Sequence, residues 1–136
     1  MISATVAATI LILQLVLMIL VGMHRVKTNT NLGVGEDRDL ERKVRRHGNL
    51  AENAALFLLV LALAELAGGS PQVLTIVGGA FVVARLSHIF AFGSLTGSHG
   101  EKGNKIFIAA RIVGAFGTFA SGLFLGGYLL YMLGTA

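Results

Sequence analysis

Four ionisable side chains interrupt otherwise apolar stretches of this chain: Glu52, Arg85, His88 and Arg111. A charge at the bilayer centre costs roughly 2.5–3.5 kcal/mol on insertion scales, so each such group needs a partner or a task. Their spacing sorts them onto faces. Arg42, Arg45, Asn49 and Glu52 stand at i, i+3, i+7 and i+10, one side of a helix, and Arg85, His88 and Phe92 stand at i, i+3 and i+7, again one side. Together they make a cationic pocket with one acid and one amide. Arginine holds carboxylates bidentately and asparagine pairs with an amide, so the set suits a small, polyanionic, partly peptide-like ligand. The plainer reading is that Glu52 pairs with Arg85 or Arg111 to hold helices together, because buried charges are usually paired. One acid cannot neutralise two arginines, and the surplus positive charge favours an anionic ligand.

These residues need elements to position them, and the chain's composition says in which solvent. Its 136 residues are enough for one domain; 54% are hydrophobic and 13% charged, with a mean hydropathy of +0.77. A soluble domain carries about a quarter charged residues. The apolar residues here fall in long runs, which points to lipid. The net charge of +4 could indicate nucleic acid, but seven of the eleven lysines and arginines lie between Arg25 and Arg46, directly after an apolar run. That is a cytoplasmic loop beside anionic headgroups, and no nucleic-acid partner is expected. There is no cysteine, hence no disulfide, thiolate nucleophile or thiolate metal site.

The pattern predicts an all-α, integral membrane four-helix bundle in antiparallel up-down order, with helices over about 2–24, 38–67, 71–92 and 105–133. The first run is uncharged and lacks a basic leader and a small-residue cleavage site, so it is expected to be a retained helix. Asp37, Asp39 and Glu41 suit the first turn of the second helix. That helix would be about 45 Å long, more than the hydrocarbon core, so its first turns should protrude. Gly68 and Gly69 stop it, and Ser70 with Pro71 starts the third helix as N-cap and first helical residue. The loops holding Arg25 to Arg46 and Lys102 to Lys105 carry the basic residues, so both should be cytoplasmic and both termini outside.

Other signals receive plainer readings. Gln14 is expected to make an interhelical hydrogen bond. Glu65, 13 residues after Glu52, is expected to snorkel to the interface, and Lys43 and Arg46 to face solvent or headgroups. His24, His47 and His99 lack metal-ligand spacing, so no metal site is expected. Gly114, Gly117, Gly122 and Gly126 form a small-residue stripe suited to close helix packing or oligomerisation.

The stretch E-R-K-V-R-R-H-G-N-L-A-E (Glu41 to Glu52) resembles the second-helix signature of the MAPEG family, the membrane-associated proteins in eicosanoid and glutathione metabolism. N-L-G-V-G-E-D ahead of it is similar to the family's bacterial branch, which implies a bacterial inner membrane. A-R-L-S-H (Ala84 to His88) and R-I-V-G (Arg111 to Gly114) agree. The resemblance covers nearly the whole chain. It implies a homotrimer with glutathione sites between subunits, near the cytoplasmic face. Arg25, Arg45, Asn49, Glu52, Arg85 and His88 would bind glutathione, and Arg111 would stabilise its thiolate. The chain departs from better-known enzymes of the family at Gly48, where several have an arginine, at Phe92, where a ligand-binding tyrosine is frequent, and at Ile112, where some have a serine.

The leading expectation is therefore a glutathione-dependent transferase, with peroxidase activity as an extension, acting on hydrophobic electrophiles that arrive through the bilayer. An enzyme without cysteine would borrow its nucleophile from glutathione or a similar low-molecular-weight thiol, and a cationic pocket favours the reactive thiolate. The alternative is a non-catalytic glutathione- or lipid-binding membrane protein, to which the absent hydroxyls point. A small ion-coupled exporter is disfavoured, because known four-helix exporters of this length carry an essential glutamate in the first helix and none is present here.

Overall fold

The computed structural model describes residues 1–95 and 105–135. The part of the second polar loop that carries His99 and Lys102 lies outside the described residues. The chain forms four helices: α1 (Ile2–Thr28), α2 (Arg38–Leu66), α3 (Pro71–Ala91) and α4 (Lys105–Gly134). Among the described residues there is no strand. Each helix is long and apolar enough to cross a membrane, and Ile12, Ile19, Phe116 and Leu123 stand exposed on the bundle's outside. This is an integral membrane protein, because only lipid makes such a surface favourable.

Contacts between helix ends establish the up-down order. Glu65, near the end of α2, meets Ile2 and Ser3 at the start of α1. Tyr128, near the end of α4, accepts a hydrogen bond from the Ser70 N–H before α3 at 2.8 Å. At the opposite, basic end, His24 of α1 bonds Asp37 before α2 at 2.8 Å, and Arg42 of α2 bonds the carbonyl after α3.

The helix ends follow local chemistry. The Asp37 carboxylate accepts from the N–H groups of Asp39 at 3.0 Å and Leu40 at 2.9 Å, satisfying two donors of the first turn of α2. Gly68, at φ +82°, ends α2, with Gly69 N–H bonded back to the Ala64 carbonyl at 2.9 Å. A side chain at Gly69 would stand 2.7 Å from that carbonyl oxygen, which excludes one. Two expectations change. α1 runs on to Thr28, because charged residues alone do not stop a helix. It ends where Asn29 adopts the left-handed conformation at φ 51°. Ser70 occupies the N-cap position of α3 but makes no side-chain cap bond, and Pro71 at the first helical position removes one of the first-turn donors that lack a helical partner.

Inside the bundle, the rings of Phe57 and Phe81 stack at 3.7 Å, surrounded by Leu50, Leu61, Leu74 and Leu125. Gly114 and Gly117 let α4 lie directly on α3: a Cβ on Gly114 would come within 2.7 Å of His88, and one on Gly117 within 2.9 Å of Ala84. Gly122 and Gly126 have nothing within 4 Å of an added Cβ, so half of the small-residue stripe packs and half does not. Gln14 makes the expected interhelical bond, to the His47 carbonyl, at a long 3.5 Å.

Glu65 does not snorkel. Its carboxylate accepts from the Ile2 N–H at 2.6 Å, the Ser3 N–H at 2.9 Å and the Ser3 hydroxyl. It caps the first turn of α1, whose N–H groups have no helical partners. Lys43 and Arg46 also turn from solvent. Lys43 bonds His24 Nδ1 at 2.6 Å and Asp39 at 2.9 Å, and Arg46 is half-buried, with its Nε enclosed.

Candidate functional site

A cavity of about 650 Å³ opens between α2, α3 and α4. Its polar end is formed by Glu52, Asn53, Arg85 and His88, one turn of α4 from Arg111. Its apolar length runs past Phe57, Phe81, Phe119 and Leu123 to Gly126. From Ala115 to Gly126 the lining follows α4 for roughly 16 Å, at 1.5 Å per residue.

Arg85 governs the polar end. It is 2% exposed, and its guanidinium bridges two helices, donating to the Asn49 carbonyl of α2 at 3.2 Å and the Gly114 carbonyl of α4 at 3.1 Å. Both carbonyls are shared, with the Asn53 amide at 2.8 Å and the Thr118 hydroxyl at 2.7 Å. Arg85 Nε is buried without a hydrogen-bond partner, and no carboxylate among the described residues pairs with it. The charge is solvated by backbone dipoles and remains uncompensated.

The expected pairing of Glu52 with Arg85 or Arg111 is not what the helices make. Glu52 pairs with Arg45 at 3.4 Å, with both side chains more than half exposed. The reason lies in the width of the stripe. From Arg42 to Glu52 a 3.6-residue period turns through about 80° of arc, and the bundle surface divides it. Arg42 and Asn49 are buried at 8% each, whereas Arg45 and Glu52 face outward.

His88 lies against Gly114 of α4, and its ring is 5.0 Å from that of Phe92. The Arg111 guanidinium carbon stands 4.5 Å over the Phe92 ring, a cation–π arrangement. Arg85, His88 and Arg111 are thus gathered on the α3–α4 side. Arg25 does not line the cavity. It donates to the carbonyls of Thr30 at 3.3 Å and Gly33 at 2.8 Å, holding the loop after α1.

Beside the site, the basic end is tied by ion pairs. Asp39 accepts from Arg42 at 2.6 Å and Lys43 at 2.9 Å. The Leu40 N–H, and after it His24, hold the Asp37 carboxyl below its ordinary value.

Sequence reasoning passed over Asn53, Thr118 and the aromatic lining. Asn53 follows Glu52 directly and was visible as a second amide. Phe57, Phe81 and Phe119 carried no signal beyond apolarity.

The MAPEG family model matches residues 3–131, nearly the whole chain. Searches of curated proteins and of solved structures return no match.

Proposed function

The chain belongs to the MAPEG family, and from that premise we propose that it is a glutathione-dependent transferase of the membrane, conjugating hydrophobic electrophiles. The observation that carries this reading is the buried, uncompensated Arg85 at the head of a long apolar cleft. A surplus cation beside a lipid-accessible groove fits an anionic cosubstrate meeting an apolar one.

In this reading Arg85 and His88 lie against the anionic cosubstrate. Arg111, steadied on Phe92, favours the thiolate over the thiol. The sulfur then bonds to the electrophile's carbon as its leaving group departs or its strained ring opens, while the thiol proton passes to solvent. Phe57, Phe81 and Phe119 shelter the apolar reactant and exclude water. Arg25, Arg45, Asn49 and Glu52 complete the proposed glutathione set. The outward-facing Arg45–Glu52 pair favours a site finished by a neighbouring subunit, in a homotrimer. The basic loops favour an orientation with this end of the bundle in the cytoplasm and both termini outside, in a bacterial inner membrane. Peroxidase activity toward lipid hydroperoxides would use the same thiolate.

The test is the ultraviolet difference spectrum of glutathione added to the purified protein, with Arg111→Ala alongside. Thiolate absorbance in the wild type, lost in the variant together with turnover, is expected. An Arg111→Ala protein with wild-type turnover would sink the mechanism. A second reading, a binding protein without catalysis, is favoured by Phe92 and Ile112, which offer no hydroxyl to the thiol. Glutathione binding without thiolate, and without turnover over a panel of electrophiles, would establish it.

A further inference from the structure

We propose that Arg42 is a positioning residue for Arg111, acting by holding the backbone carbonyl of Phe92 and so fixing the ring on which the Arg111 guanidinium rests. The inference depends on the thiolate-stabilising role given to Arg111 above.

Three observations carry it. Arg42 is 8% exposed, and its fork is already aimed: Nε and one terminal nitrogen donate to a single oxygen of Asp39, at 2.9 and 2.6 Å. Lys43 holds that carboxylate from its other oxygen. One direction is left to Nη1, and it points across the helix boundary to the Phe92 carbonyl at 2.6 Å.

Phe92 is poorly held otherwise. It follows the last residue of α3, where carbonyls lack helical partners. Its own N–H is shared between the His88 carbonyl, at a long 3.3 Å, and the carbonyl of Phe90. Phenylalanine has no polar side-chain atom, so no hydrogen bond can hold the ring itself. The ring is fixed through the backbone and by its contacts with His88 and Arg111.

Attraction of a cation to an aromatic face depends on where the ring stands. Releasing the Phe92 carbonyl therefore lets the ring and the guanidinium above it move together. A helix-capping arginine without this role would affect only the end of α3.

The experiment measures the thiolate fraction of bound glutathione in wild type, Arg42→Ala, Arg42→Lys and Phe92→Leu, with S-methylglutathione affinity as the control for binding alone. Arg42→Ala should lower the thiolate fraction about tenfold, the equivalent of about one pKa unit, with S-methylglutathione affinity kept. Arg42→Lys, which retains a donor, should recover much of the signal. Phe92→Leu should match Arg42→Ala, and the double variant should add little to either, as expected for residues acting through one contact. A folded Arg42→Ala protein with the wild-type thiolate fraction would overturn the proposal. So would equal loss of thiolate and of S-methylglutathione binding, which marks a collapsed site. Should Arg42→Ala not fold, Asp39→Asn loosens the fork while keeping the arginine, and an unchanged thiolate fraction there is equally fatal. Absence of thiolate in the wild type itself would remove the transferase reading first, and this inference with it.

Discussion

The guanidinium of Arg85 donates to the carbonyl of Gly114 at 3.1 Å, so a charge buried in α3 is solvated by the backbone of α4. The same carbonyl takes the Thr118 hydroxyl, and the other arm of Arg85 reaches the Asn49 carbonyl. A structural role and the proposed binding role therefore meet in one side chain. Each bond from a charged donor is worth about 1.5–3 kcal/mol, but removing the charge also removes its desolvation cost.

Arg85→Met, close in volume, should accordingly leave the helix content and detergent melting temperature near those of the wild type. Affinity for glutathione should fall about tenfold or more, as expected for loss of a charge-assisted contact. Calorimetry on the two proteins checks this. Unchanged affinity would mean that the cation is bundle glue alone.

Gly114 and Gly122 offer a paired comparison along one helix. A methyl group at Gly114 meets His88 backbone atoms at 2.8–2.9 Å, whereas one at Gly122 meets nothing within 4 Å. Gly114→Ala should destabilise by about 1–3 kcal/mol through overpacking. Gly122→Ala should be neutral or slightly stabilising, since alanine is the better helix former. Thermal unfolding in one detergent reads both.

The far end of the cleft is open at Gly126, where an added side chain projects into free space. Gly126→Phe should shorten the apolar groove without touching its polar end. Turnover of electrophiles bearing long alkyl tails should drop about tenfold or more, with a small aromatic electrophile unaffected. Equal losses for both would show that the groove does not receive the tail.

Asp37 gives a pH-dependent contrast. The folded state binds its ionised form, through the Leu40 and Asp39 N–H groups and His24, so its folded value lies below the ordinary 3.8. The stability this confers is complete above the unfolded value and is lost as pH falls through the folded one. Asp37→Ala should therefore melt lower than the wild type at neutral pH, and the gap should narrow steadily below pH 3.8. A gap that stays constant on acidification would place the effect elsewhere.

Much of the fold was legible in the residues. Long uncharged runs report a lipid solvent whatever their partners. Gly68, Gly69, Pro71 and Asp37 act through their own backbone or first-turn geometry, so their effects are local. The end of α1 was misplaced because the stop signal was the tolerance of Asn29 for a left-handed conformation, and not the charges before it. The site was legible as a cluster and illegible as a set of bonds. Arg85, His88 and Arg111 do gather, but the partner of Glu52 was misassigned.

The amino-acid sequence alone determined four apolar helices, a basic end, and which ionisable groups share a helix face, because periodicity and hydrophobicity are properties of each segment by itself. It also carried the family signature. Spacing gives angles around an axis but not the rotation of that axis against its neighbours. Only the packed bundle decided that Arg42 and Asn49 turn inward while Arg45 and Glu52 turn out. Only it set Glu65 on the first turn of α1, 62 residues away along the chain. The same holds for Arg85, whose guanidinium is solvated by carbonyls of two other helices, 36 and 29 residues distant. Those contacts depend on how helices approach one another, which glycines such as Gly114 permit and no single segment encodes.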